Sequence, residues 1–298
     1  MRMDMATPTI TGTRATTMND YVAYYLAGSG SAVLVSVLCV ALASGALSPI
    51  VVANRMAFFS DAVAHSSLAG VALGMLMSAW IPGLTTLPVL TMAGFGVCVA
   101  LVIATLRQKS PLALDTLLGV AMAGSLALGL VLYHRVRGYT DLHGFLLGQV
   151  SLLGWADAAL MAINAAISLA LVALFSNKLT LIAVSRNLAQ ARGVSVARHE
   201  YLLIVMLGLV VSISVKAVGI LMVNALLVVP AATARHLVRS FAGLFWASMA
   251  VSMIAGVAGL LIGDLLNLPT APAIVSTSVI LFAAAWVVGT LRGHGGQA

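Results

Sequence analysis

Apolar residues run through this chain in long stretches, separated by short polar segments that carry most of its charge. A helix needs about 20 mostly apolar residues to cross the hydrocarbon layer of a membrane. Runs of that kind fall at Ala32–Ala53, Met56–Trp80, Leu84–Leu106, Leu112–His134 and Ala156–Phe175. Four more follow, at Tyr201–Val218, Gly219–Ala234, Gly243–Leu265 and Ala273–Leu291. Backbone facing lipid must satisfy its own hydrogen bonds, so runs this long are helices rather than strands. The alternating pattern of about ten residues that marks a membrane-barrel strand is not visible. The expected fold class is all-α: a polytopic membrane helical bundle with about nine spans, in a range of eight to ten.

Two stretches depart from a plain bundle. Asp141–Leu153 is too short to span and carries Gly144 and Gly148. It reads as a short broken or re-entrant helix, which a membrane tolerates only where protein or a cavity covers it. Gly219–Ala234 is also short and contains Pro230, whose missing N–H invites a kink. Gly70 and Gly74 form one small-xxx-small pair, suited to close helix packing. Met1–Asp20 is polar and Thr-rich, without the apolar core and cleavage site of a signal peptide. The expected layout is a polar tail over 1–30, one transmembrane domain over 31–292 and a short tail over 293–298.

Composition excludes the soluble alternatives. Of 298 residues, 61% are hydrophobic and 8% charged, and mean hydropathy is +1.10. Soluble domains are about 45–50% apolar and about 25% charged. A soluble enzyme, a nucleic-acid-binding domain and a disordered tail are therefore ruled out. The net charge of +7 would suggest nucleic acid in a soluble chain; here it indicates Arg- and Lys-rich cytoplasmic loops. No nucleic-acid partner is expected.

The polar insert Ser176–Glu200 carries Lys178, Arg186, Arg192 and Arg198 against Glu200, and the positive-inside tendency puts it in the cytoplasm. Arg235, Arg239 and Arg292 then fall on the same side. The first half is balanced. An external N-terminus puts Arg55, Arg107 and Lys109 inside, whereas an internal one puts Arg2, Arg14, Arg135 and Arg137 there. Cys39 and Cys98 lie within apolar runs and read as buried fillers.

Candidate chemistry centres on Met56–Gly74. Asp61 and His65 stand four residues apart, on one helix face and within reach of each other. An ionisable residue inside a membrane helix is costly, roughly 2.5–3.5 kcal/mol for Asp at the bilayer centre on insertion scales. A carboxylate and an imidazole one turn apart suit a borderline divalent ion such as zinc or manganese. The competing readings are a mutual hydrogen bond, or an Asp61–Arg55 pair near an interface. A second cluster holds His134, Arg135, Arg137, Asp141 and His143. These read first as solvated loop residues and second as pathway ligands. Asp264 reads as interfacial, and Lys216 as a snorkelling helix end. No HExxH, G-x-S-x-G or P-loop motif is present, so any ATP dependence belongs to another chain. In Leu188-Ala189-Gln190-Ala191-Arg192-Gly193-Val194, small residues at Ala189 and Gly193 offer a short helix a flat side. An ordinary amphipathic connector fits the same pattern.

Taken in order, these segments resemble the permease family of metal-ion ABC importers, which handle zinc, manganese and iron. FFSDAVAHSSLAGVALG resembles the family's second-helix signature, with Asp61 and His65 on its Asp and His. DLHGFLLGQVSLL resembles its D-L-x-x-x-L-x-G segment at Asp141 and Gly148, and LAQARGV its ATPase-coupling segment. Val218–Arg235 and the later LNLPTAP resemble its C-terminal signatures, so the likeness covers roughly Ser31 to Leu291. Departures occur at Arg186 and Asn187, where the family usually carries an acid, at Gln149, and at Ala271-Pro272.

The resemblance implies a type II importer-like permease in the bacterial inner membrane, with no permanently bound cofactor and a divalent metal as cargo. It implies a homodimer with the pathway between two copies. Its partners would be a cytoplasmic ATP-binding-cassette ATPase and an extracytoplasmic metal-binding protein. Within a coupling segment over 177–200, Leu188, Ala189, Ala191 and Gly193 would meet the ATPase. The metal would pass Asp61 and His65, with His134, Asp141 and His143 as further pathway candidates. The rival classes are a stand-alone secondary carrier, for which no inverted repeat is apparent, and a permease for siderophores or chelates.

Overall fold

The computed structural model describes residues 9–10, 13–14, 24–26, 30–78, 87–135, 150 and 153–291. Asp141 and His143, with the broken helix expected around them, lie outside the described residues. A two-rung bridge pairs Thr9–Ile10 (β1) with Thr13–Arg14 (β2). The rest is helical: α1 Ser31–Ala53, α2 Phe59–Ser78, α3 Leu87–Lys109, α4 Leu114–Arg135 and α5 Trp155–Val184. The chain continues as α6 Arg186–Ala191, α7 Val196–Leu237, α8 Phe241–Leu265 and α9 Thr270–Leu291.

Among the described residues nine segments are long and apolar enough to cross a membrane, two of them within α7, at Val196–Val215 and Val218–Leu237. The multi-pass all-α reading is thereby borne out. A straight helix of 42 residues would be about 63 Å long, roughly twice the hydrocarbon thickness. Gly219 breaks it, at φ 79° and ψ 168°, a conformation open to a residue without Cβ. The helix runs on through Pro230, so the discontinuity falls eleven positions earlier than the proline suggests. One stabilising contact lies beside that proline: Ala231 N–H donates to Ser48 Oγ of α1 at 3.0 Å. α5 also overshoots its expected end, because the apolar Leu179–Val184 extends it nine residues past Phe175.

The helices gather into two compact units. In the unit holding 50–145 and 167–216, α2 packs on α3 and α4. A Cβ at Gly70 would stand 2.7 Å from Met92 Cα, and one at Gly129 would stand 2.9 Å from Ala69 N. Only glycine permits these approaches. The other unit holds 1–49, 146–166 and 217–298. There α8 and α9 meet at Gly259, where a Cβ would stand 2.4 Å from Ile274 Cα. Tyr25 O–H donates to Asp264 Oδ2 in the same unit, so Asp264 is tied to the segment before α1. α1 and α2 are largely buried, while α4 and α9 expose apolar faces suited to lipid. Cys98 is on such an exposed face of α3 and not in the core; its side chain, like that of Cys39, is a free thiol.

Three helix ends close with the same cap. In this motif the residue after the cap takes the left-handed conformation while two backbone N–H groups reach back. After α6 the residue is Gly193 (φ 75°), and after α8 it is Asn267 (φ 51°). After α1 it is Arg55 (φ 56°). There Arg55 N–H reaches Val52 O at 3.1 Å and Met56 N–H reaches Val51 O at 2.9 Å. Glycine and asparagine enter that region readily, whereas an ordinary side chain costs about 1–2 kcal/mol. Arginine is the exceptional occupant.

Candidate metal pathway and cytoplasmic face

The sequence of α2 places Asp61 in its first turn, where the positive end of the helix dipole favours a carboxylate. His65 follows one turn later. Its Nε2 stands 3.4 Å from Asp61 Oδ1, so the four-residue spacing does bring the two together. The side chains are 26% and 34% exposed respectively, half-buried in a helix whose other faces are packed. His65 Nδ1 is buried and has no hydrogen-bond partner, and Nε2 is the ring nitrogen turned to Asp61. A carboxylate oxygen and an imidazole nitrogen therefore converge on one accessible side of α2. Among the described residues no group of three or more His, Cys, Asp and Glu comes together. The pair offers two donor groups, fewer than the four of a closed structural zinc site.

His134 is an exposed residue in the last turn of α4 and belongs to no cluster of three or more His, Cys, Asp and Glu among the described residues.

A second polar site lies in the same unit, and sequence reasoning missed it. Glu200, 6% exposed, accepts from Arg186 Nε at 3.1 Å and also pairs with Arg186 Nη2. Arg107 Nη2 stands 3.5 Å from the same oxygen, Oε1. Arg107 Nη1 also reaches Met56 Sδ at 3.7 Å. The cluster joins the ends of α3 and α5–α6 to the start of α7. Arg186 is thus directed at a carboxylate of its own chain. A cavity of about 440 Å³ lies beside it, lined by Asn54, Arg55, Arg107, Arg186, Asn187 and Glu200 among others. Arg55, Arg107 and Arg186 therefore share one face. The positive-inside tendency favours the cytoplasm for such a face.

α6 is a single exposed turn and a half, begun by Ser185 Oγ accepting from Leu188 N–H. Ala189 is fully buried in a small cluster with Ile182 and Val196. Leu188, Gln190, Ala191 and Arg192 form the outward surface. Nothing lies within 4 Å of a Cβ built on Gly193; its positive φ, and not a close approach within the chain, is what calls for glycine.

Nine candidate spans among the described residues, a half-buried acid–imidazole pair and a basic face beside an exposed short helix define a multi-pass membrane protein. The ABC 3 transport family matches residues 30–289, and the chain belongs to that family. It is 29% identical over 250 residues to the high-affinity zinc uptake system membrane protein ZnuB of Haemophilus influenzae, covering 84% of this chain and 93% of that one. It is also 29% identical over 260 residues to the manganese transport system membrane protein MntC of Listeria monocytogenes, covering 87% and 90%. Among solved structures, PsaBC from Streptococcus pneumoniae in complex with Fab superposes with a TM-score of 0.77 at 27% identity, over 91% of this chain and 95% of that one.

Proposed function

We propose that this chain is the permease of an ATP-driven importer of divalent transition-metal ions in the bacterial inner membrane, with zinc or manganese as cargo. The observation that carries the reading is the Asp61–His65 pair at 3.4 Å, in a family member whose relatives are named for zinc and manganese transport. Asp and His donors suit both metals, and iron(II) as well. An extracytoplasmic binding protein delivers the ion, and a separate cytoplasmic ATPase supplies the energy.

The physics of passage favours an incomplete site. An ion must bind firmly enough to shed water and loosely enough to leave. Two ligands from one chain hold it weakly. A second copy across a two-fold axis completes the set with its own pair, which accounts for the absence of a closed cluster among the described residues. On the cytoplasmic side the ATPase docks on the outward surface of α6, at Leu188 and Ala191. Ala189 and Gly193 shape that surface from within, one as its packed underside and the other as its cap. Asp141 and His143 remain candidates for a further station on the pathway.

The test is growth in a strain lacking this chain, with zinc, manganese or iron as the limiting metal and cellular metal content as the readout. Wild type restores growth and uptake with zinc or manganese. Asp61→Asn and His65→Ala, at equal membrane abundance, restore neither. Normal uptake by both variants removes the metal-site claim.

A further inference from the structure

Three arginines line the cytoplasmic cavity, and one carboxylate lies among them. Arg107 and Arg186 share Glu200. The Arg55 guanidinium meets no carboxylate among the described residues, and it is exposed. The lining therefore holds two positive charges more than negative ones. Its uncompensated member sits in a left-handed backbone conformation that the same cap elsewhere in this chain assigns to Gly193 and Asn267. A backbone requirement alone would select glycine there. The side chain is what the position retains.

We infer that this cavity is an anion socket that receives an acidic side chain of the ATPase subunit. The inference rests on the proposed function for the existence of that subunit and for its location on α6. Arg186 belongs both to the cavity lining and to the first turn of α6. α6 has 6 residues and is about 9 Å long, so a protein seated on Leu188 and Ala191 lies within side-chain reach of the cavity mouth. Charge complementarity fixes the chemistry: an Asp or Glu carboxylate inserted between Arg55 and Arg186 brings a second anion to three cations. Planar guanidinium groups hold such a carboxylate through paired N–H donors. Arg186, with Arg55 and Arg107, makes the socket basic. An ATPase matched to this permease then needs an acid at the facing position.

The experiment titrates the full-length permease in lipid nanodiscs with its purified ATPase subunit, at low and high salt. Arg55→Gly separates the two roles of the residue, because it keeps the cap and removes the cation. We expect Arg55→Gly to melt at or slightly above the wild-type temperature yet to weaken ATPase binding about fivefold, as for loss of an exposed ion pair. Arg55→Glu weakens it by about tenfold or more through like-charge repulsion, and Arg55→Lys stays within about threefold of wild type because the point charge remains. The salt dependence of binding flattens in the Gly variant. Unchanged affinity in both Arg55→Gly and Arg55→Glu overturns the socket. So does an affinity loss that vanishes when phosphatidylglycerol in the nanodisc is replaced by phosphatidylcholine, since that assigns the cavity to lipid phosphate. Failure of the wild-type permease to bind the ATPase at all would instead refute the proposed function.

Discussion

Two charged sites in one unit of this protein are built on opposite terms. The Asp61–His65 pair on α2 is half-exposed, loosely spaced at 3.4 Å and leaves His65 Nδ1 without a partner. The Glu200 site is 6% exposed and tied to two arginines from two other elements. A buried carboxylate deprived of its partners is strongly destabilising, so the second site reads as a structural tie at the root of α6. The first leaves only an imidazole nitrogen, His65 Nδ1, unengaged and stays accessible, as the proposed passage of an ion requires.

That contrast is open to direct attack. The largest effect belongs to the pair: Asp61→Asn and His65→Ala lower metal uptake by at least about 100-fold, beyond the roughly 10–100-fold typical of groups that only support a ligand. Their melting temperatures in nanodiscs stay at the wild-type value. Glu200→Ala shows the reverse profile. It leaves Arg107 half-buried and unpaired and destabilises the fold by roughly 2–3 kcal/mol, below the ~3–5 kcal/mol of a fully buried pair because Arg186 is half-exposed. Denaturant unfolding of the purified permease measures it, and an unchanged midpoint removes the structural assignment. Arg186→Lys is the mildest change. It replaces two guanidinium N–H contacts with one ammonium and shifts stability by about 0.5–1 kcal/mol. An Arg186→Lys effect as large as Glu200→Ala would mean that guanidinium geometry, and not charge, holds the root of α6.

Much of this architecture was legible in the sequence because the bilayer imposes a length. Seven of the nine expected spans start within three residues of the observed span, those in α1, α2, α4, α5, α8 and α9 among them. Asp61 and His65 were legible because four residues is one helical turn. Long-range pairing left no such trace. Arg107 and Glu200 are brought together by tertiary packing alone, and the sequence shows Arg186 as a departure from the family pattern without showing its pairing with Glu200. Local rules also misdirected. Pro230 drew attention to a kink that Gly219 carries, and Ala189 looked like a docking surface because six residues are too few to reveal which side of α6 is buried. Arg55 could not be read as a left-handed residue, since the cap motif announces itself in sequence through glycine.

The central claim is that the α2 carboxylate and imidazole handle the metal in transit. Its most direct test is ATP-dependent uptake of radioactive zinc and manganese into proteoliposomes holding the permease, its ATPase and its binding protein. The wild-type complex accumulates metal on ATP addition, while the Asp61→Asn complex hydrolyses ATP and accumulates none. Equal accumulation by the two complexes would contradict the account.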